Sequence, residues 1–358
     1  MLVKSLENCV SLDEAAALIV AAPRVHFNLE GEAGIGKTSI KDLIMEKLGS
    51  LYHWVYFDCA QKDLGDIAMP ATNRELRVTE YFPNAIFEFQ SGKPLVICLD
   101  EFSKAFRPVQ NMLHPLLESY NPRLGDVPLP EGSIIFLTGN ISSMGVGDVL
   151  KAHTLNRVTT VRVRKPTSDE WIQNWAIHNN IEASILHYVK ETPQVFASFE
   201  DPGEENNERI FNPKHPEQPF VSGRSLAKAS DIVAAREGYT HNALLVALRG
   251  TLGLKAAQEL ANSIRFQDML PSMASIVQQP TKAKLVDDPA ALMVMVYKAA
   301  AAVTSETLDP VVTYMARTGP EYLSLFFLNI AKSKKQHILT RGKNAQFQKW
   351  VIKNQDII

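Results

Sequence analysis

Gly31-Glu32-Ala33-Gly34-Ile35-Gly36-Lys37-Thr38, followed by Ser39, is the stretch on which the fold turns. Glycines ahead of a lysine and a hydroxyl residue at this spacing form a P-loop. The glycines leave backbone N–H groups free to face phosphate oxygens, Lys37 reaches the β and γ phosphates, and the Thr38 hydroxyl is a ligand for Mg²⁺. A chance match in a chain of 358 residues is roughly a one-in-a-hundred event, which leaves little room for coincidence. The flanks agree with a P-loop. Residues 25–29 (Val-His-Phe-Asn-Leu) read as a short strand entering the loop, and Ile40, Leu43, Ile44 and Leu48 recur at helical spacing until Gly49 stops them. Phosphate would then meet a helix N-terminus, whose unpaired N–H groups and dipole favour an anion. Gly31 to Ser39 are therefore the candidate nucleotide-binding residues.

Working outward, residues 55–58, 95–100 and 133–140 read as further buried strands. Strands alternating with helices predict a parallel α/β sheet that binds its ligand at the carboxyl ends of the strands. Polar residues stand at those ends. The apolar run 95–99 terminates in Asp100 and Glu101, a Walker B arrangement in which Asp100 holds Mg²⁺ through water and Glu101 polarises the attacking water. An acidic pair at a strand end more often just faces solvent; coupled to the P-loop, it reads as catalytic. Asn140 ends the strand at 133–140, where it either orients that water or forms a turn before Ile141-Ser-Ser.

Length bounds the chain at two or three domains, and a net charge of −2 provides no global field that would favour nucleic acid or a membrane surface. Cys9, Cys59 and Cys98 are odd in number and far apart, which suits reduced thiols in a cytoplasm rather than disulfides or a metal cluster. The N-terminus lacks a signal pattern, and the Ala-rich stretch 15–22 is too short to span a bilayer; Ser11 with Glu14 reads as a capping box that opens a helix.

After Pro166 the patterns turn helical, through Trp171, Ile172 and Trp175, then Ile185 and Val189, then 226–235 and 243–252. Residues 198–220 are polar and rich in Pro, Glu and Asn, as an exposed loop or partner-binding insertion would be. Helical patterns resume at 290–303, 310–317, 322–330 and 347–352. The end of the chain is basic: Lys332, Lys334, Lys335, Arg341, Lys343, Lys349 and Lys353 stand beside Phe347 and Trp350. Basic residues interleaved with aromatics can follow a nucleic-acid backbone and stack bases, although a solvated helix face is the commoner origin.

These residues together resemble the AAA+ ATPases, in particular the MoxR-like branch with its dynein-related relatives. Asp100-Glu-Phe-Ser-Lys-Ala with 108–118 resembles the Walker B segment and the helix after it. Pro128-Leu-Pro and 134–140 resemble a short hairpin and sensor 1. Leu155-Asn-Arg157-Val with Val161-Arg-Val and Pro166 resembles the arginine-finger segment, and Ser222-Gly-Arg224-Ser-Leu the sensor 2 start of a lid helix. The likeness spans roughly residues 5–270 and implies ATP with Mg²⁺, a homo-oligomeric ring, usually a hexamer, and a chaperone role beside a von Willebrand factor A partner. It also implies that Arg157 reaches a neighbour's γ-phosphate, with Arg107 and Arg123 as alternative fingers, and that Arg224 contacts phosphate within its own subunit. ATP rather than GTP rests on the resemblance alone. Asn156 and Lys104 depart from the branch, which has an acidic residue and an arginine there, and Pro115 should kink its helix.

The expected architecture is thus an α/β P-loop AAA+ core with a parallel sheet flanked by helices at 1–165, a helical lid at 166–270 and a small helical C-terminal region at 271–358. The expected activity is ATP hydrolysis driving remodelling of protein complexes. The alternatives are a nucleic-acid-engaged motor using the basic tail, and a nucleotide switch without turnover, for which Glu101 would have little use.

Overall fold

The computed structural model describes residues 8–141, 149–268, 270–333, 337–338 and 345–353. These fall into two compact units, one running up to Lys165 and taking in Glu200–Gly203, the other made of Pro166–Phe199 and the chain from Glu204 onward.

The first unit carries β1 (Phe27–Gly31), β2 (His53–Asp58), β3 (Ala68–Asn73), β4 (Val78–Pro83), β5 (Leu95–Asp100), β6 (Arg123–Leu124), β7 (Val127–Pro128), β8 (Ile134–Asn140) and β9 (Thr159–Arg162). Five of them form a sheet in the order β2-β5-β8-β1-β9, with every pairing parallel. Its central strands are continuous apolar runs because both faces are covered. Leu95, Ile97 and Leu99 of β5 and Ile135 and Leu137 of β8 enter one core; Val96, Cys98, Ile134 and Phe136 enter the other. Helices α1 (Leu12–Ala21) and α2 (Ile40–Leu48) cover the second face through Ala15, Ala16, Ile19, Ile40 and Ile44, while α3 (Arg107–Leu113) covers the first through Val109 and Leu113. Full burial of each Leu, Ile, Val or Phe side chain among these stabilises by about 1.5–3 kcal/mol. The expected P-loop α/β fold is the one observed.

Local details follow from the sequence with small shifts. The capping box at Ser11 and Glu14 forms, and Gly49 ends α2 with φ of 67°. The strand expected at 25–29 lies at 27–31, because pairing with β8 carries it to Gly31 opposite Asn140. Pro115 does not kink a continuing α-helix: α3 stops at Leu113 and a single 3-10 turn, His114–Leu117, takes over with the proline in its first turn, where a missing N–H costs little. The antiparallel β3–β4 hairpin has no counterpart in the sequence reading. It leaves Met69, Val78, Tyr81 and Phe82 exposed, so no buried face advertised it. Gly125, in the β6–β7 turn with φ of 59°, lies against the Tyr81 backbone where a Cβ would clash.

The second unit is helical: α4 (Ala152–Leu155) belongs to the first unit, and here follow α5 (Ser168–Asn174), α6 (Ala183–Glu191), α7 (Gly223–Ala234), α8 (His241–Leu252), α9 (Leu254–Asp268), α10 (Met273–Gln278), α11 (Pro289–Ala302), α12 (Leu308–Ala316), α13 (Pro320–Ala331) and a last helix, Ala345–Lys353. One hydrophobic cluster runs through them from Trp171 to Trp350. The segment 198–220 is a loop without helix or strand and much of it is exposed, as expected, but from Glu204 onward it is anchored in this unit. Ile210 and Phe211 are buried, and Arg209 grips Glu259 of α9 at 2.5 and 2.9 Å. Gly253, with φ of 86°, sits where a Cβ would come within 2.8 Å of the Pro219 carbonyl oxygen, so the α8–α9 turn and this segment fix each other. Phe347 and Trp350 stack on each other, and both lie against Phe327, with centroids 5.2 and 5.4 Å from its ring. Core packing therefore occupies the aromatics that the nucleic-acid alternative needed for stacking; Lys334, Lys335, Arg341 and Lys343 lie outside the described residues.

His187 is buried in α6, within the run 183–189, every residue of which is buried. Desolvation holds its pKa below the ordinary value, with Glu191 and Asp288 opposing weakly. A lowered folded pKa means that the unfolded chain binds the proton first as pH falls, so the stability present above about pH 6.5 drains away below it, with a slope approaching 1.4 kcal/mol per pH unit. His187→Gln should flatten that slope; urea midpoints at pH 7.5 and 5.5 for both proteins measure it, and equal slopes would acquit His187.

Candidate active site

The carboxyl ends of β1, β5 and β8 bring Gly31, Asp100 and Asn140 side by side, since register pairs Gly31 with Asn140 and β5 lies next to β8. From Gly31 the loop climbs to α2 through Gly34 and Gly36, whose φ values of 77° and 96° few other residues accept. A Cβ on Gly36 would lie 3.0 Å from Ser39 Oγ, a tight approach that adds to the strain a side chain would meet at that φ. Ile35 is buried in the core beneath α1 and α2 and anchors the loop; Ser39 Oγ donates to the Gly36 carbonyl at 2.7 Å. Glu32, between Gly31 and Ala33, turns its carboxylate to Lys165 Nζ at 2.6 Å, so its side chain braces the loop and only its backbone faces the lysine. The Thr38 side chain lies outside the described part of the structure.

Lys37 Nζ donates to Gly31 O at 2.8 Å, Glu32 O at 3.1 Å and Asn140 Oδ1 at 2.9 Å. All three ammonium donors are thereby used within the chain. Burial lowers its pKa from 10.5 to about 8, against the opposing pull of Asp100 and Glu101. Asn140 continues the chain of bonds, because its Nδ2 donates to Glu101 Oε1 at 3.1 Å. Glu101 Oε2 receives Lys104 Nζ at 2.8 Å. Glu101 itself has φ of 49°, a left-handed conformation costly for a residue with a Cβ. Burial of Phe102 directly after it holds the turn in place.

Asp100 is held from both neighbouring strands. Thr138 of β8 donates to Oδ1, and Tyr56 of β2 donates to Oδ2 at 2.6 Å. Burial, reinforced by Asp100, raises the Tyr56 phenol well above its usual range and keeps it protonated. Asp58 lies opposite Asp100 in the register but turns to cap the Ala60 N–H.

Lys37, Asp100, Glu101 and Asn140, all proposed from sequence, are thus joined in one cluster. Arg157 is engaged elsewhere in the first unit, donating to Glu118 Oε1 at 3.0 and 3.2 Å and to the His153 carbonyl at 2.8 Å. Arg107 opens α3 and Arg123 lies on β6, both exposed; Arg224 is exposed in the first turn of α7, within the Ser222–Ser225 capping box. Tyr56, Thr138 and Lys165 were not foreseen. Tyr56 shares the pleat face of Asp58, but only the strand order β2-β5, which sequence does not give, aims it at Asp100.

No protein-family model matches this chain, and no curated protein does. Among solved structures the chain is similar to a candidate ATPase from Cytophaga hutchinsonii, at 14% identity and a TM-score of 0.33, over 73% of this chain and 91% of that one. It is also similar to the Thermotoga maritima RuvB Holliday junction branch migration motor, at 14% identity and a TM-score of 0.35, over 86% of this chain and 87% of that one.

Proposed function

We propose that this chain binds and hydrolyses ATP as a ring-forming ATPase of the AAA+ class and MoxR-like type that remodels protein complexes. Hydrolysis rests above all on the unbroken line of hydrogen bonds from Lys37 through Asn140 to Glu101. A cation, an amide and a carboxylate at adjoining strand ends can respectively neutralise phosphate, orient water and accept its proton. The glycine loop, with Gly34 and Gly36 at positive φ, and the buried ammonium fit a triphosphate. Asp100 and Thr38 would hold Mg²⁺, which supplies charge neutralisation of the phosphates when bound. In the resting chain Lys37 already has three acceptors, so phosphate must displace some of them. Asn140 is bonded to both Lys37 and Glu101 and would feel that exchange, which ties occupancy to the position of the base.

ATP as the nucleotide, a hexameric ring, a von Willebrand factor A partner, a cytoplasmic setting and the separation of a lid at 166–270 from a C-terminal region at 271–358 come from the resemblance and sequence pattern. The nucleic-acid alternative keeps its lysines and arginine but loses Phe347 and Trp350 as stacking platforms. No helix among the described residues is long and apolar enough to cross a membrane.

In the ring, Arg157 leaves Glu118 for the neighbour's phosphate. That exchange is inexpensive, since an ion pair this exposed contributes at most about 1 kcal/mol. Specific ATPase activity should therefore rise with protein concentration in the wild type, with assembly followed by light scattering. Arg157→Ala should bind nucleotide normally and show a low, concentration-independent rate. Wild-type activity that is flat with concentration would overturn the ring; wild-type behaviour in Arg157→Ala would move the finger to Arg107 or Arg123.

A further inference from the structure

β2 contributes no residue to the P-loop or to the acidic pair, yet it delivers a hydroxyl to the centre of the site. Side chains two apart on a strand share a face. Tyr56 and Asp58 thus point the same way, and Asp58 lies opposite Asp100 across the β2–β5 register. From one pleat earlier, Tyr56 reaches diagonally along β5 and places its OH 2.6 Å from Asp100 Oδ2. Thr138 reaches Oδ1 of the same carboxylate from β8 on the other side. The carboxylate is therefore fixed at both oxygens by donors on two different strands. Two like charges facing each other across a ladder would repel; Asp58 is turned away to the Ala60 N–H, and Asp100 keeps the two hydroxyls. Tyr56 is 39% exposed, so its ring adds little to a core, and the function left to its hydroxyl is the one Asp100 receives.

We infer that Tyr56 is a positioning residue for the cation-bearing carboxylate: its hydroxyl sets the orientation in which Asp100 receives a hydrated divalent cation brought with the nucleotide. This rests on the nucleotide-hydrolysing site proposed above. Partners that orient a metal-binding carboxylate commonly govern 10- to 100-fold in metal affinity or activity.

The test uses the full chain carrying Glu101→Gln, so that no turnover disturbs equilibrium, with and without Tyr56→Phe. Affinity for a fluorescent ATP analogue is measured without metal and across titrations of Mg²⁺ and of Mn²⁺, the latter also read by electron paramagnetic resonance of the bound ion. Loss of the hydroxyl should raise the half-saturating metal concentration about tenfold and leave metal-free nucleotide affinity and thermal stability unchanged. An unchanged metal requirement would overturn the inference, as would an equal fall in metal-free and metal-bound affinity, since that is the mark of a merely structural tyrosine. Should the Glu101→Gln protein with Tyr56 intact show no metal-enhanced binding at all, the nucleotide site itself falls, and that result is distinct from one confined to Tyr56→Phe.

Discussion

Glu101→Gln is expected to slow ATP turnover about a thousandfold while leaving nucleotide affinity within about threefold of the wild type, because a general base typically contributes 10²–10⁴ in rate and little in binding. The amide keeps the size of the carboxylate and can still meet Asn140 Nδ2, so the line of bonds toward Lys37 survives. What is lost is the basic oxygen and the ion pair with Lys104. The backbone also argues for function at this position. Glu101 holds φ of 49°, a conformation costing on the order of 1–3 kcal/mol in a residue with a Cβ. Glycine would adopt that turn without strain, yet a carboxylate occupies it. Stopped-flow phosphate release and equilibrium binding separate the two effects. A rate within tenfold of wild type would remove Glu101 from the chemistry, and a parallel collapse of binding would make it structural. Blocked after binding, the same variant should accumulate its assembled state. Recovered with ATP and Mg²⁺ from its native lysate, a ring with a stoichiometric protein supports the remodelling role, whereas nuclease-sensitive material supports the nucleic-acid alternative.

Much of this site was legible in the chain because its information is local. A P-loop is contiguous, and a strand that ends in Asp100 and Glu101 announces both its burial and its polarity within seven residues. Asn140 was legible for the same reason; of its two readings, orienting water or forming a turn, its bonds to Lys37 and Glu101 favour the first. The parts that were illegible depend on strand order and on long reach. Tyr56 precedes Asp100 by 44 residues and Lys165 follows Glu32 at still greater separation; neither pair has a spacing rule. The Pro, Glu and Asn content of 198–220 suggested an exposed loop, which much of the segment is, but composition averages over Ile210 and Phe211, which are buried, and is blind to the Arg209–Glu259 grip that anchors it. In the basic tail, Phe347 and Trp350 sit three apart on one helix, a spacing that serves a core contact as well as a base stack, and both rings lie against Phe327.

Lys37 carries the other large expected effect, and its sign can be worked out from the resting geometry. Removing the ammonium in Lys37→Ala strips a donor from Gly31 O, Glu32 O and Asn140 Oδ1 together and takes away the charge that meets phosphate; nucleotide affinity should fall by about a hundredfold or more, or roughly 3 kcal/mol. In the free chain burial brings the pKa down to about 8 from 10.5, so holding the charge at pH 7 costs the fold on the order of 3 kcal/mol. A triphosphate restores a charged partner and raises the pKa again. Above about pH 8 the free chain increasingly lacks a proton that the bound chain retains, so binding must take one up, and affinity should decline toward tenfold per pH unit as pH rises from 8 to 10. The terminal phosphate, ionised near pH 6, adds no slope there. Titration calorimetry at pH 8.5 in buffers of different ionisation enthalpy should register that uptake directly. Lys37→Arg, which stays charged throughout, should bind more weakly at neutral pH and lose the alkaline slope. An affinity flat from pH 7 to 9.5 would mean that the ammonium is not taking up its proton from a depressed state. The cost of burying it would then have no return in binding, and the cluster at the strand ends would need another ligand to account for it.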